Sequence, residues 1–96
     1  MRKIRNPATE IPLPGFEVFQ TEFLETRREE LLALKASLAE GDFKALAVCG
    51  HKWKGFCSPY GFQELGELAI LMEEAAKNSS VEACQGILKR IEEYLG

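Results

Sequence analysis

The chain has one histidine, His51, with Lys44, Lys52 and Lys54 close to it in sequence. A neutral imidazole nitrogen is a competent nucleophile near neutral pH. Ammonium groups one or two helical turns away can stabilise negative charge on an arriving group such as a phosphoryl. The other near neighbours are Ala47, Val48, Gly55 and Ser58, so little rises beside the imidazole. Gly55 is disfavoured in a helix interior by about 1 kcal/mol relative to alanine. That penalty is easier to understand where something must approach the backbone. Plainer readings of the same residues stand beside these. A lone histidine on a helix is commonly a solvated surface residue, and Gly55 can reflect fraying ahead of Pro59.

The other reactive residues offer less. Cys49, Cys57 and Cys84 are odd in number and form no C-x-x-C pair. A zinc site would need all three to converge on His51. Free cysteines of a reducing compartment are usually small buried hydrophobes, and that is the expectation here. No Gly-rich phosphate loop is present, and no acidic cluster suits magnesium. The chain is therefore expected to bind neither ATP nor any cofactor or metal, and not to phosphorylate itself.

Helices must position His51. Residues 1–15 read as an extended arm, because Pro7, Pro12 and Pro14 each lack an amide donor and restrict the preceding residue. Phe16 to Phe19 is compatible with a short extra helix or a lead-in. From Thr21, a plausible N-cap, to Glu40, the residues Phe23, Leu24, Leu31, Leu34 and Leu38 recur near helical spacing, and Gly41 stops the helix. Glu25, Arg27, Arg28, Glu29 and Glu30 form its solvated face.

Asp42 caps a second helix to about Ser58, and Pro59-Tyr60-Gly61 breaks the chain. A third helix runs from about Phe62 to Lys77 on a stripe of Leu65, Leu68, Ala69, Met72 and Ala76. After a turn at Asn78-Ser79-Ser80, a fourth runs from about Val81 to Leu95. Its inner face is Val81, Cys84, Ile87, Leu88, Ile91 and Leu95. Nothing alternates as a strand does. Four amphipathic helices with short connections predict an all-α, antiparallel up-down-up-down bundle over residues 16–96.

On a wheel of about 100° per residue, Leu46, Cys49, Trp53, Phe56 and Cys57 fall opposite His51. The histidine should therefore point away from the core, with Lys44, Ala47, Val48, Lys54, Gly55 and Ser58 around it.

Whole-chain properties bound the classes. With 96 residues there is room for one small domain, 46% hydrophobic and 28% charged, as in ordinary globules. The net charge of −3 argues against a dedicated nucleic-acid binder. No apolar run approaches the roughly 18 residues needed to span a bilayer, and no secretory signal is seen, so the expected compartment is the cytoplasm. No spare heptad seam is evident, and a monomer is expected. Met1 with its arm and the end at Gly96 read as a separate protein.

The segment His51-Lys52-Trp53-Lys54-Gly55 resembles the H-x-x-K-G signature of histidine-containing phosphotransfer domains. Gly61, ten residues after His51, then Phe62, and Leu65, fourteen after, resemble that family's interhelical turn and next helix. Leu38 to Phe43 is similar to its turn before the histidine helix. The resemblance covers roughly residues 20–95.

It implies that His51 takes a phosphoryl group reversibly from an aspartate of a response-regulator receiver domain, alone or in a hybrid histidine kinase. Lys54 would hold the phosphate or meet the receiver's acidic pocket, Lys52 would be a weaker phosphate contact, and Gly55 would permit close docking. Leu71-Met72-Glu73 is similar to a stretch of the phosphotransfer domain of chemotaxis kinases. There a glutamate accepts a hydrogen bond from the histidine's other ring nitrogen, which suggests that role for Glu73. Gln63 is a lesser candidate for a polar contact near the site. Trp53 and Phe56 depart from the family's smaller residues, and the wheel places both inward.

Three readings compete. One is a phosphorelay carrier, the second a helical binding module that docks a receiver or kinase domain through the same face without phosphorylation. The third is a cysteine-based redox or metal protein.

Overall fold

The computed structural model describes residues 19–57 and 60–96, apart from the side chain of Phe56. The expected arm at residues 1–15, the short segment that follows it, Ser58, Pro59 and the inward placement of Phe56 lie outside the described residues. Four helices follow in order: α1 (Gln20–Ala39), α2 (Phe43–Cys57), α3 (Gln63–Lys77) and α4 (Val81–Leu95). No strand occurs among the described residues. Each helix packs on its neighbours in sequence and α4 closes back on α1, so the four form an up-down-up-down bundle with one core.

The apolar stripes meet in that core. Leu46, Trp53, Leu65, Leu68, Met72 and Ile91 are almost wholly removed from water. Each such side chain contributes about 1.5–3 kcal/mol by burial. Phe23 stacks on Tyr60 and Phe62, with ring centroids 4.4 and 5.2 Å apart, and Phe62 meets Tyr94 edge-on at 6.5 Å. Arg28 donates to the Leu95 carbonyl and Lys35 pairs with Glu92, clasping α1 to α4.

The turns follow the sequence closely. Gly41 has φ +75° and Gly61 φ +83°, a region a side chain would strain. Asp42 Oδ1 accepts from Ala45 N at 3.2 Å and Ser80 Oγ from Ala83 N at 3.3 Å, each capping the helix it precedes.

Three expectations need correction. Thr21 is not an N-cap. Helix α1 begins at Gln20, with Phe19 at the cap position and no side-chain cap bond. Tertiary contacts hold that end instead, because Gln20 Nε2 donates to the Tyr60 carbonyl at 3.2 Å beside the aromatic stack.

Arg27 is not solvated but 8% exposed. Its guanidinium lies 4.6 Å from the Phe23 ring centroid and 5.7 Å from that of Trp53, and it pairs with Glu30. A planar, weakly hydrated cation can be buried between rings in this way. Val81 is 46% exposed, because the first residue of α4 stands beyond the end of the core.

Candidate functional site

Helix α2 presents two faces. Leu46, Gly50, Trp53 and Cys57 are buried at helical spacing, and Cys49 is half-buried beside them. Lys44, Val48, His51, Lys52, Lys54 and Gly55 are exposed, with Ala47 half-buried. The inner stripe fixes the rotation of the helix, and that rotation turns His51 outward, with its side chain 68% exposed. Trp53 secures the rotation by donating from Nε1 to Glu30 Oε1 of α1 at 3.2 Å.

The glycine beside His51 sets the distance to α3. A Cβ on Gly50 would lie 2.7 Å from the Ala69 carbonyl oxygen and 3.0 Å from Glu73 N. Only a residue without a side chain lets the two backbones come so close. The approach delivers Glu73 to the histidine: Glu73 Oε2 lies 3.3 Å from His51 Nδ1. This is slightly longer than an ideal hydrogen bond. Lys54 Nζ donates to Glu73 Oε1 at 3.0 Å, and Lys77 Nζ lies 3.3 Å from Oε2. The glutamate side chain is only 10% exposed, whereas those of Lys54 and Lys77 are 38% and 67% exposed. The Lys54 ammonium holds the Glu73 carboxyl below the usual carboxylate range. Partial burial opposes this and Lys77 reinforces it.

A carboxylate facing Nδ1 favours the tautomer with its proton on Nδ1 and the lone pair on Nε2. The same carboxylate stabilises positive charge on the ring if Nε2 forms a new bond, as in a histidine base held by an acidic partner. The site thus has an outward imidazole, an anion behind it and a part-exposed ammonium one turn along the helix.

The remaining expected site residues spread around this centre. Lys44, Val48 and Lys52 line a shallow groove with Glu30, Asp42 and Cys49, on the flank of α2 nearer α1. Lys52 and Glu73 thus lie on opposite flanks of His51. Gln63 is exposed in the first turn of α3, and Gly55 is exposed in the last turn of α2. A Cβ on Gly55 would meet nothing within 4 Å among the described residues. Ser58 lies outside the described residues.

Two residues were missed in the sequence. Gly50 is a small residue on the inner stripe, four positions after Leu46. Lys77 stands four after Glu73, where a helix brings side chains together. Ile70, one turn before Glu73, is a further exposed apolar residue on α3, 43% accessible.

Cys49 and Cys84 are free thiols. Burial pushes the Cys49 thiol up to about 11, with Glu30 acting in the same direction, and burial also raises Cys84. Among the described residues no three His, Cys, Asp or Glu side chains form a group that could hold a metal ion. No helix of the described residues is long and apolar enough to cross a membrane.

The Hpt domain family matches residues 18–96, most of the chain. The chain belongs to the Hpt domain family. The four helices and the H-x-x-K-G segment of α2 agree with that membership, and the family places the chain among phosphorelay domains. No match was found among curated proteins or among solved structures.

Proposed function

We propose that this Hpt domain carries a phosphoryl group on His51 Nε2, exchanging it reversibly with the aspartate of a receiver domain. The observation that supports this best is the pairing of an exposed imidazole with a near-buried carboxylate 3.3 Å from Nδ1. In the forward step the Nε2 lone pair attacks phosphorus of the receiver's acyl phosphate. The N–P bond forms, the O–P bond breaks, and its electron pair leaves on the aspartate carboxylate. The ring keeps its Nδ1 proton and becomes cationic, facing Glu73.

Lys54 is the group that meets the phosphoryl oxygens, with Lys52 a second contact from the other flank. Gly55, Ala47, Val48, Lys44 and Gln63 contribute to the surface on which the receiver docks. The receiver, alone or within a hybrid kinase, supplies most of the positioning and charge neutralisation. The carrier itself works as a cytoplasmic monomer.

The test is transfer from phosphorylated receiver domains of the host, followed by intact mass at alkaline pH, with His51→Gln in parallel. One acid-labile phosphoryl group on wild type and none on the variant is the expected result. If several receivers bind and none transfers, His51 is a docking residue of a binding module and the carrier reading fails.

A further inference from the structure

Glu73 has two ammonium partners, one on each helix. Lys54 approaches Oε1 from α2 and Lys77 approaches Oε2 from α3, one turn along the same helix as Glu73. With His51 neutral, the cluster of Lys54, Lys77 and Glu73 carries two positive charges and one negative. A single lysine would neutralise the carboxylate, so the second needs a reason. The proposed function gives Lys54 a second task, since the arriving phosphoryl group competes with Glu73 for its ammonium.

We infer that Lys77 is a positioning residue that takes over Glu73 when Lys54 turns to the phosphoryl group. Lys77 is suited to this by place. It belongs to the helix of Glu73, in its last turn, so its grip does not depend on how α2 or the receiver moves. Its link to Glu73 is an i,i+4 pair, and its side chain is two-thirds exposed and free to follow the carboxylate. As Lys54 departs, Lys77 keeps the carboxylate ionised and aimed at Nδ1, where the ring is becoming cationic. The cluster then divides into two parts, Glu73 with Lys77 and the ring that is gaining charge, and Lys54 with the phosphoryl oxygens. Without Lys77, Lys54 would leave a largely buried anion faced only by a ring that is still gaining its charge, and would be held back by it.

This inference rests on phosphoryl transfer to His51, and the experiment separates the two. Transfer from a phosphorylated receiver is timed in wild type, Lys77→Gln, Lys77→Arg, Glu73→Gln and the Glu73→Gln, Lys77→Gln pair. Lys77→Gln should slow transfer about three- to fivefold, the scale of one partly exposed ion pair, and Lys77→Arg should restore most of it. In the Glu73→Gln background Lys54 has no anion to leave, so Lys77→Gln should have no further effect.

Equal slowing by Lys77→Gln in both backgrounds would make Lys77 a general attractor of the receiver and overturn the inference. So would wild-type rates in Lys77→Gln. If wild type accepts no phosphoryl group, the proposed function falls and this inference with it. If wild type accepts one and the coupling is absent, only the role of Lys77 falls.

Discussion

The inner and outer faces of α2 use the same helix under different constraints, and two glycines five residues apart make the difference plain. At Gly50 a side chain would run into the backbone of α3 at 2.7 Å, so the fold itself requires glycine. At Gly55 a Cβ would meet nothing within 4 Å among the described residues, so none of their packing requires it. The inner face is determined by its contacts, from Leu46 through Trp53 to Cys57, all fully buried. The outer face is determined by what is left off it. A face that bears an exposed histidine, exposed lysines and a glycine contributes little apolar burial to the folded domain.

The contrast is broken most easily at Trp53. Trp53→Ala removes a fully buried ring and the Nε1 bond to Glu30, and should lower stability by about 3–5 kcal/mol in urea unfolding. His51→Gln, two residues away on the exposed face, should change it by no more than about 0.5 kcal/mol. Comparable losses for both would mean that the outer face also holds the fold together.

Gly50→Ala comes next. Its methyl would press on the Ala69 carbonyl and the Glu73 backbone rather than on a yielding side chain. Overpacking of this kind costs typically about 1–3 kcal/mol. The variant should also push α3 away and weaken the contact between Glu73 and His51. A shift of the His51 ring ¹⁵N resonances in Gly50→Ala would report that separation. Unchanged stability would show that α2 and α3 can part without penalty.

A smaller effect should appear in the pH dependence. The folded Glu73 carboxyl lies below its ordinary value, chiefly because of Lys54. Glu73 therefore contributes stability that is complete above the unfolded carboxylate pKa of about 4.3. The contribution is lost as pH falls through the lower folded value. The stability difference between wild type and Glu73→Gln should be constant near neutrality and shrink in acid. A difference that grows in acid would mean that burial, not the lysines, dominates at Glu73.

Much of this was legible in the sequence, and the parts that were not share a physical cause. The four helices follow from apolar residues recurring near 3.6 and from the glycines at 41 and 61. The outward turn of His51 follows from the opposing stripe of the same helix. Periodicity says which side of a helix is buried, but not what it meets. The pairing of Glu73 with His51 needed family resemblance, because its cause is the depth to which α2 sinks against α3 at Gly50. Arg27 was read as solvated because a charged residue in a charged run usually is. Its burial depends on two rings, Phe23 and Trp53, from different helices. Lys77 was within reach of the i,i+4 rule once Glu73 was singled out.

The finest test of the contrast is Gly55→Ala. Alanine is the better helix former by up to about 1 kcal/mol, less near a helix end. The site has room for a methyl group, so the isolated domain should keep its stability or gain a few tenths of a kcal/mol. If the outer face is shaped for a docking receiver, the same methyl should slow transfer, and Gly55→Leu should slow it much further at no comparable loss of stability. Opposite signs for stability and transfer would place the reason for this glycine outside the chain. If Gly55→Ala destabilises the domain, the last turn of α2 needs glycine for its own backbone, and the two faces differ less than their packing implies. If both variants transfer at wild-type rates, the receiver does not approach over Gly55, and the docking surface must lie toward Ala47 and Val48 instead.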